Sequence, residues 1–509
     1  MLLWIHALLL VLLSLSASYK QVLVRGQALD TRPQTCAEWT GAECAWEPNL
    51  QAMNADFGRF NETFYAYVVP DVATFYNKTP GSLQPTMSTF KGMFGKFTNL
   101  SPDTIRVSWI SGKKNDAPVY ISDVSPFDSA GTATYVGHQF IVTDRKSNTL
   151  LTKWTMVQGN SLYFYDPFDF DIRKALKALT AEQLPLYNMQ LQNKMFAEQY
   201  KTFTGTDWLA LYRQKFAPRF HMWRADAIGQ TYTIETNEIH FVDFPDEAEL
   251  ARGTSIYGPR PDERDRMRRL RARDPTMNMT MTVLSCVPRV FEVKDFLSDM
   301  EVEHLLNIAS KRKLKRSTMH AGGSSEATTN DDTRTSTNDW IPRHQDLITD
   351  TIYRRAADLL QMDEALLRWR RKSEIPEFTE SHISISERLQ LVNYQVGQQY
   401  TPHHDFTMPG LVNMQPSRFA TLLFYLNDDM DGGETAFPRW LHADEEGGSL
   451  KVKPEKGKAI LFYNLLPDGN YDERSEHAAL PVRRGEKWLT NLWVWDPIMD
   501  HSSDGALDL

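Results

Sequence analysis

The chain has little cysteine, no excess of positive charge and no apolar run long enough to cross a bilayer. Three of its 509 residues are cysteine, and none has the spacing of a zinc site. Cys36 and Cys44 flank a short segment and can close a small disulfide in an oxidising compartment; Cys286 is left over, in an apolar strand-like run where it reads as a buried thiol. Lysine and arginine (56) are outnumbered by aspartate and glutamate (65), for a net charge of -9. That balance argues against general nucleic-acid binding. The basic runs near 266–273, 311–316 and 368–372 read as solvated faces. The apolar stretch 2–17 is shorter than the roughly 20 residues a membrane helix needs, and small residues follow it. Residues 1–19 are therefore expected to be a cleaved signal peptide, or failing that a single-pass type II anchor. Either sends the chain into the secretory lumen, endoplasmic reticulum or Golgi. The acceptor tripeptides at Asn61, Asn77, Asn99 and Asn278 agree with that route. The chain ends Ala506-Leu507-Asp508-Leu509, with no clear lumenal retention signal.

What is present is ordinary globular composition, 41% hydrophobic and 24% charged, in a length that implies two or three domains. Residues 20–84 read as a loosely structured lead-in. Residues 85–168 carry short β-type runs between polar turn clusters, the pattern of a small β-sandwich. Residues 169–284 read as a helical connector with one strand near 230–244; Pro185 is expected to break or kink its second helix, and the charged segment 258–276 to be a surface helix or linker. The last domain, 285–497, opens with a capping box at Ser298 and Glu301 and carries two amphipathic helices. Between them the polar segment 317–340 is long enough to be a functional lid. From 389 onward the pattern is nearly all strand, and 498–509 are a tail. The expected fold is multidomain and mainly β with helices, an N-terminal sandwich followed by a C-terminal double-stranded β-helix.

The chain is organised around 389–405. This stretch starts as a strand, turns at Gly397 and ends in His403-His404-Asp405. Side chains two apart on a strand share a face, so His403 and Asp405 point together, and His404 is expected to face solvent on the other side. One imidazole and one carboxylate make two-thirds of a facial triad, the site type that holds Fe(II) with open positions. His477 is the candidate third ligand. A 2-oxoglutarate co-substrate would leave a distal carboxylate in the barrel, and a buried carboxylate must be paired. Lys487, beyond His477 and across the Gly485 turn, is the candidate partner, with a phenol hydrogen bond from Tyr394. His442, in an acidic loop, reads as a surface residue. A lone His-x-Asp is a weak signal; it gains from His477 and Lys487 standing at workable positions.

Residues 284–497 closely resemble the catalytic domain of prolyl 4-hydroxylases, the plant and algal kind above all. The matching blocks are Tyr394-Gln395-Val396-Gly397-Gln398-Gln399-Tyr400 leading to His403 and Asp405, Arg418-Phe419-Ala420-Thr421, Gly432-Gly433-Glu434-Thr435-Ala436-Phe437-Pro438, Val452-Lys453-Pro454, Asp468-Gly469, His477 and Gly485-Glu486-Lys487-Trp488. The resemblance implies that His403, Asp405 and His477 bind Fe(2+), and that Lys487 and Tyr394 bind 2-oxoglutarate. It implies that Tyr400, Arg418 and Trp493 surround a Pro-rich polypeptide substrate, and that 317–340 closes over the peptide, with Arg334-Thr335-Ser336 its best-matched part. It further implies that O2 is consumed and that L-ascorbate restores the iron. Two departures are Cys286 and Trp495, which stand where relatives carry an aromatic and a polar or histidine residue.

The segment 85–168 resembles the β domain of the von Hippel–Lindau tumour suppressor. The likeness rests on Asn99-Leu100-Ser101-Pro102, Ile105-Arg106-Val107-Ser108-Trp109 and Thr134-Tyr135-Val136-Gly137-His138-Gln139-Phe140. It implies a hydroxyproline pocket at Trp109, Thr134 and His138, although Ala133 and Phe140 replace two pocket residues of that family. Three readings follow: a peptidyl-proline 4-hydroxylase of secretory-pathway proteins, a hydroxyproline or proline-peptide binding protein with an inert oxygenase domain, and a hydroxylase of another residue.

Overall fold

The computed structural model describes residues 90–496 apart from 113–115, 205, 211–219, 251–254, 259–260, 318, 321–326, 329–332, 372–381, 407–416, 441–447 and 467–468. The expectations for the leader, the lead-in, Cys36, Cys44, Asn61, Asn77, His442, Asp468 and the tail lie outside the described residues. Among these residues no helix is long and apolar enough to cross a membrane.

The first module is built from two antiparallel-rich sheets. One has three strands, with Gly92–Asn99 between Ser129–Tyr135 and Leu162–Tyr165; the other has four, in the order Val119–Val124, Ile105–Ile110, Gln139–Asp144, Leu150–Thr155. Their facing sides bury Phe97, Ile105, Val107, Phe140 and Val142, and Trp154 stacks on Phe97. The two sheets share this one apolar core, as in a small sandwich. Asn99 lies inside that module. It is fully buried, its amide donates to the carbonyls of Asp103, Val124 and Ser125, and its Oδ1 accepts from the amide and hydroxyl of Ser101. The folded protein cannot carry a glycan there. Asn278, by contrast, is exposed on strand Thr276–Ser285.

In the connector the helix Gln183–Thr204 runs through Pro185, against the expected break. Proline falls in the first turn, where the missing N–H would have had no intrahelical partner. The charged helix Pro261–Arg273 buries Met267 and Leu270. Its flanking strands do not form a separate unit. Thr231–Ile239 and Thr276–Ser285 pair with each other, and the latter pairs with Val290–Val293. The expected boundary at 284/285 therefore falls inside a paired hairpin.

That hairpin ends a nine-stranded sheet whose order is Lys315–Arg316, Thr337–Ile341, Leu389–Tyr394, Lys487–Trp495, Arg418–Tyr425, Ala459–Tyr463, Val290–Val293, Thr276–Ser285, Thr231–Ile239. A four-stranded sheet faces it, in the order Tyr400–His403, His477–Ala479, Thr435–Phe437, Leu450–Val452. Together they form the double-stranded β-helix. Helices Asp299–Ser310 and Leu347–Leu359 supply apolar faces to the large core beside the major sheet. The capping box is formed as expected: the Ser298 hydroxyl accepts from Glu301 N, and the Glu301 carboxylate accepts from Ser298 N. Glu301 also takes both terminal nitrogens of Arg355, at 2.7 and 2.9 Å, and both residues are fully buried.

Candidate metal and co-substrate site

Strands Tyr400–His403 and His477–Ala479 are antiparallel neighbours whose register sets His403 opposite His477. Asp405 completes the group. One ligand atom from each of the three lies within 4.8 Å of the others; His403 Nε2 is 3.7 Å from Asp405 Oδ1, and His477 Nε2 is 3.6 Å from Asp405 Oδ2. Each ring is held from behind. His403 Nδ1 donates to the Thr401 carbonyl at 2.8 Å and His477 Nδ1 to the Ser475 carbonyl at 3.0 Å. Both Nε2 lone pairs are thereby left for a cation, the usual arrangement of metal-binding imidazoles. Asp405 Oδ2 accepts from Thr421 Oγ1 at 2.8 Å and Trp493 Nε1 at 2.9 Å. Burial works to raise the Asp405 carboxyl, but His477, His403, Arg418 and the Trp493 indole outweigh it and hold the group far below the usual carboxylate range. Burial, followed by repulsion from His477, pushes His403 well down. The cluster is thus a carboxylate and at least one neutral imidazole converging on a point, a donor set that fits Fe(II).

The second half of the site lies on the next strand. Tyr394 and Lys487 are register partners in the major sheet. Lys487 is fully buried, and its Nζ has no hydrogen-bond partner. The Nζ lies 5.5 Å from the ring centres of both Tyr394 and Tyr425, and burial lowers its pKa to about 7. An orphaned buried ammonium is costly unless an anion arrives, and the distal carboxylate of 2-oxoglutarate supplies one. The glycine pair before Glu434 makes room for it. Gly433 has φ +72, and a Cβ there would stand 3.2 Å from Lys487 Cδ.

Around the mouth, Tyr400 stacks on His403, and the Arg334 guanidinium lies 4.7 Å from the Tyr400 ring. Arg418 lies flat on Trp493, 3.9 Å from the ring centre. Of the residues expected at the site, His403, Asp405 and His477 converge, Tyr400, Trp493 and Arg418 lie against them, and Lys487 and Tyr394 stand together as register partners in the major sheet. The structure adds Glu387, which holds Arg418 through two bonds of 2.6 and 3.1 Å and accepts from Trp495 Nε1 at 2.8 Å. It also adds Thr421, positioned by Asn464 Nδ2. Glu387 follows the alternating run Ile383-Ser384-Ile385-Ser386 just before the strand, and its pairing with Arg418 is what reveals its role. His404 corrects an expectation. It faces away from the metal cluster, but into packing rather than solvent: its Nε2 donates to the Glu473 carbonyl at 2.9 Å, and Phe94 of the sandwich meets its ring edge-on.

In the sandwich, the Trp109 and His138 rings lie 5.3 Å apart, and Thr134 Oγ1 is 3.1 Å from His138 Nδ1. Trp109 Nε1 is buried with no hydrogen-bond partner.

Comparison with known proteins gives the following. The profile of the 2OG-Fe(II) oxygenase superfamily matches residues 389–495. The chain is 35% identical over 232 residues to "Probable prolyl 4-hydroxylase 6" of Arabidopsis thaliana, which covers 43% of this chain and 73% of that one. It is 34% identical over 212 residues to "Prolyl 4-hydroxylase subunit alpha-1" of Rattus norvegicus, 41% of this chain and 34% of the rat subunit. The solved structure of viral collagen prolyl hydroxylase from Paramecium Bursaria Chlorella virus-1, in its 2OG complex, is 25% identical, covering 40% of this chain and 95% of its own at a TM-score of 0.30.

Proposed function

The chain belongs to the prolyl 4-hydroxylase family, and from that premise we propose that it hydroxylates peptidyl proline to 4-hydroxyproline. 2-Oxoglutarate and O2 are consumed, and succinate and CO2 are released. The observation that carries the reading is the pairing of a three-ligand cluster with a buried cation that has no partner of its own.

His403, Asp405 and His477 would hold Fe(II), which when bound couples O2 reduction to oxidative decarboxylation of the 2-oxo acid. The chain's own residues bind and orient. Thr401 and Ser475 carbonyls fix the tautomers of the two histidines. Thr421 and Trp493 fix the face of Asp405. Lys487 clamps the distal carboxylate of 2-oxoglutarate, with the Tyr394 phenol beside it. Tyr400, Arg418 and Trp493 form the wall against which the peptide lies: two flat rings and a guanidinium stacked on one of them. Such surfaces suit proline, whose ring packs on aromatic faces and whose chain is pre-extended. L-Ascorbate is the expected reductant for iron oxidised in unproductive turnovers.

The sandwich would add a second peptide contact. Trp109, Thr134 and His138 would take hydroxyproline, and the closeness of the Trp109 and His138 rings, with Thr134 Oγ1 on His138 Nδ1, supports this grouping. Held on the same chain, product residues would raise the effective concentration of the next proline. The apolar segment 2–17 and the exposed acceptor Asn278 support a place in the secretory lumen.

The test is incubation of the purified chain with Fe(II), 2-oxoglutarate, ascorbate and Pro-rich peptides, following succinate and locating added oxygen by mass spectrometry, with His403→Ala as control. Oxygen on proline, lost in the control, is the expected result. Oxygen on lysine would reassign the substrate. Iron binding without peptide-stimulated succinate would make the chain a binding protein.

A further inference from the structure

We propose that the β-sandwich is a working part of the metal centre, with Phe94 and Glu473 as positioning residues for the two segments that carry its ligands. The inference rests on the Fe(II)-site reading above.

The ligands come from two segments, 403–405 and 477. Behind the site these segments are tied to each other through Glu473. The side chain between the first two ligands, His404, donates to the Glu473 carbonyl. Glu473 also begins the short helical turn Glu473–Ser475, and the Ser475 carbonyl at its end receives His477 Nδ1. Any shift of Glu473 is therefore transmitted to both sides of the cluster.

Glu473 is in turn fixed from the sandwich. Its Oε1 accepts the backbone N–H of Phe94 at 2.9 Å and Arg439 Nη1 at 2.8 Å, with Ser161 Oγ at 3.4 Å. The same Arg439 nitrogen reaches the Gly92 carbonyl at 3.2 Å. The Phe94 amide is available for a topological reason. Strand Leu162–Tyr165 pairs only with Lys96–Asn99, which leaves this edge of Gly92–Asn99 open at Phe94. A buried amide without a partner is costly, and Glu473 closes the gap. The Phe94 ring completes the contact, edge-on to His404 at 5.4 Å and to Phe406 at 5.0 Å, and is itself 5% exposed. The sandwich thus holds the back of the ligand strand by one ring and one amide.

Groups that orient ligands in this way typically set metal affinity within a factor of 10 to 100. The test is Mn(II) affinity of the full chain by paramagnetic resonance titration, without co-substrate or peptide, alongside circular dichroism. Phe94→Ala and Glu473→Ala are expected to bind Mn(II) about tenfold more weakly. Glu473→Gln, whose amide oxygen still accepts from Phe94, should keep most of the affinity. In turnover the metal requirement should rise while the KM for 2-oxoglutarate, set at Lys487, stays put. Parental Mn(II) affinity in folded Phe94→Ala overturns the proposal. Should that variant not fold, Phe94→Leu, apolar but without the ring edge, carries the test on the same terms. If the parent itself binds no Mn(II), or binding survives His403→Ala, the site reading fails and takes this inference with it. That result is distinct because it appears without touching the sandwich.

Discussion

The indole Nε1 of Trp493 donates to Asp405 Oδ2 across 2.9 Å, so the ring that carries the Arg418 guanidinium also sets the face of Asp405. Trp493→Phe keeps an aromatic platform for Arg418 and removes that donor, along with part of the ring's packing. Mn(II) or Fe(II) affinity should fall about tenfold, as expected for loss of a ligand-orienting bond. Peptide KM should change less. Metal titration beside steady-state kinetics checks both; an unchanged metal affinity would show that Thr421 alone suffices to orient the carboxylate.

Lys487 makes a prediction about pH. Burial, only partly offset by Glu434, lowers its pKa to about 7 in the free protein, and a bound dicarboxylate favours the charged form and raises it. Binding therefore takes up a proton above neutral pH. Affinity for 2-oxoglutarate should be highest below about pH 7 and weaken as pH rises through it, by at most about tenfold per unit. Calorimetry in two buffers of different ionisation enthalpy would detect the uptake. Lys487→Met should abolish both the pH dependence and most of the binding, while leaving Mn(II) affinity in place.

The contrast between Lys487 and Glu387 shows what sequence can and cannot carry. Lys487 follows a glycine turn in a strand pattern, and a barrel needing a buried cation has few places for one. Its register with Tyr394 comes from the pairing of two strands far apart in the chain, which alternation alone does not give. The His403 and Asp405 pair is brought together as the spacing suggests, but the strand ends at His403 and Asp405 follows in a bend, so a strand period alone does not account for it. Glu387 ends an alternating run, Ile383 to Ser386, but alternation names no partner for it, and its role exists only once Arg418 and Trp495 close on it in space. His404 fails differently: alternation gives its direction correctly, but nothing local says that another module fills that side. The Pro185 helix continues because proline sits in its first turn, and the 284/285 boundary falls within a local hairpin that composition does not mark.

Glu387→Gln tests the anchoring of Arg418 itself. The amide keeps one acceptor but loses the charge, so the guanidinium is less firmly held over Trp493. Bonds to charged groups are worth about 1.5–3 kcal/mol, and this pair is partly exposed at Arg418, which places the effect at the low end. Peptide KM should rise roughly tenfold, with metal affinity and the KM for 2-oxoglutarate unmoved. A fall in kcat with KM constant would instead assign Arg418 a role after peptide binding.

Stability has its own test at Glu301 and Arg355, a fully enclosed pair far from the metal ligands in sequence. Removing one member of such a pair leaves the other charge unmatched, at a cost of about 3–5 kcal/mol. Glu301→Ala also removes half of the capping box at Ser298. Chemical denaturation should show the loss in the transition of the oxygenase core. A double replacement of both residues by apolar side chains should recover part of it.

The last prediction concerns the sandwich. Trp109 packs against His138, and its N–H is buried without a partner. Phe140, directly across the strand from Trp109, is spent on the core, where it meets Phe97. Phe140 is thereby left out of the proposed hydroxyproline pocket, which would rest on Trp109, Thr134 and His138. Trp109→Phe removes the donor while preserving the ring contact, and should weaken binding of a hydroxyproline peptide more than that of its unmodified counterpart. The reaction of a single-proline peptide should be unaffected, whereas a long repetitive substrate should accumulate fewer hydroxyls per encounter. Equal affinity of the parent for hydroxylated and plain peptide would make the Trp109–His138 pair a packing contact and leave peptide recognition to the oxygenase mouth alone.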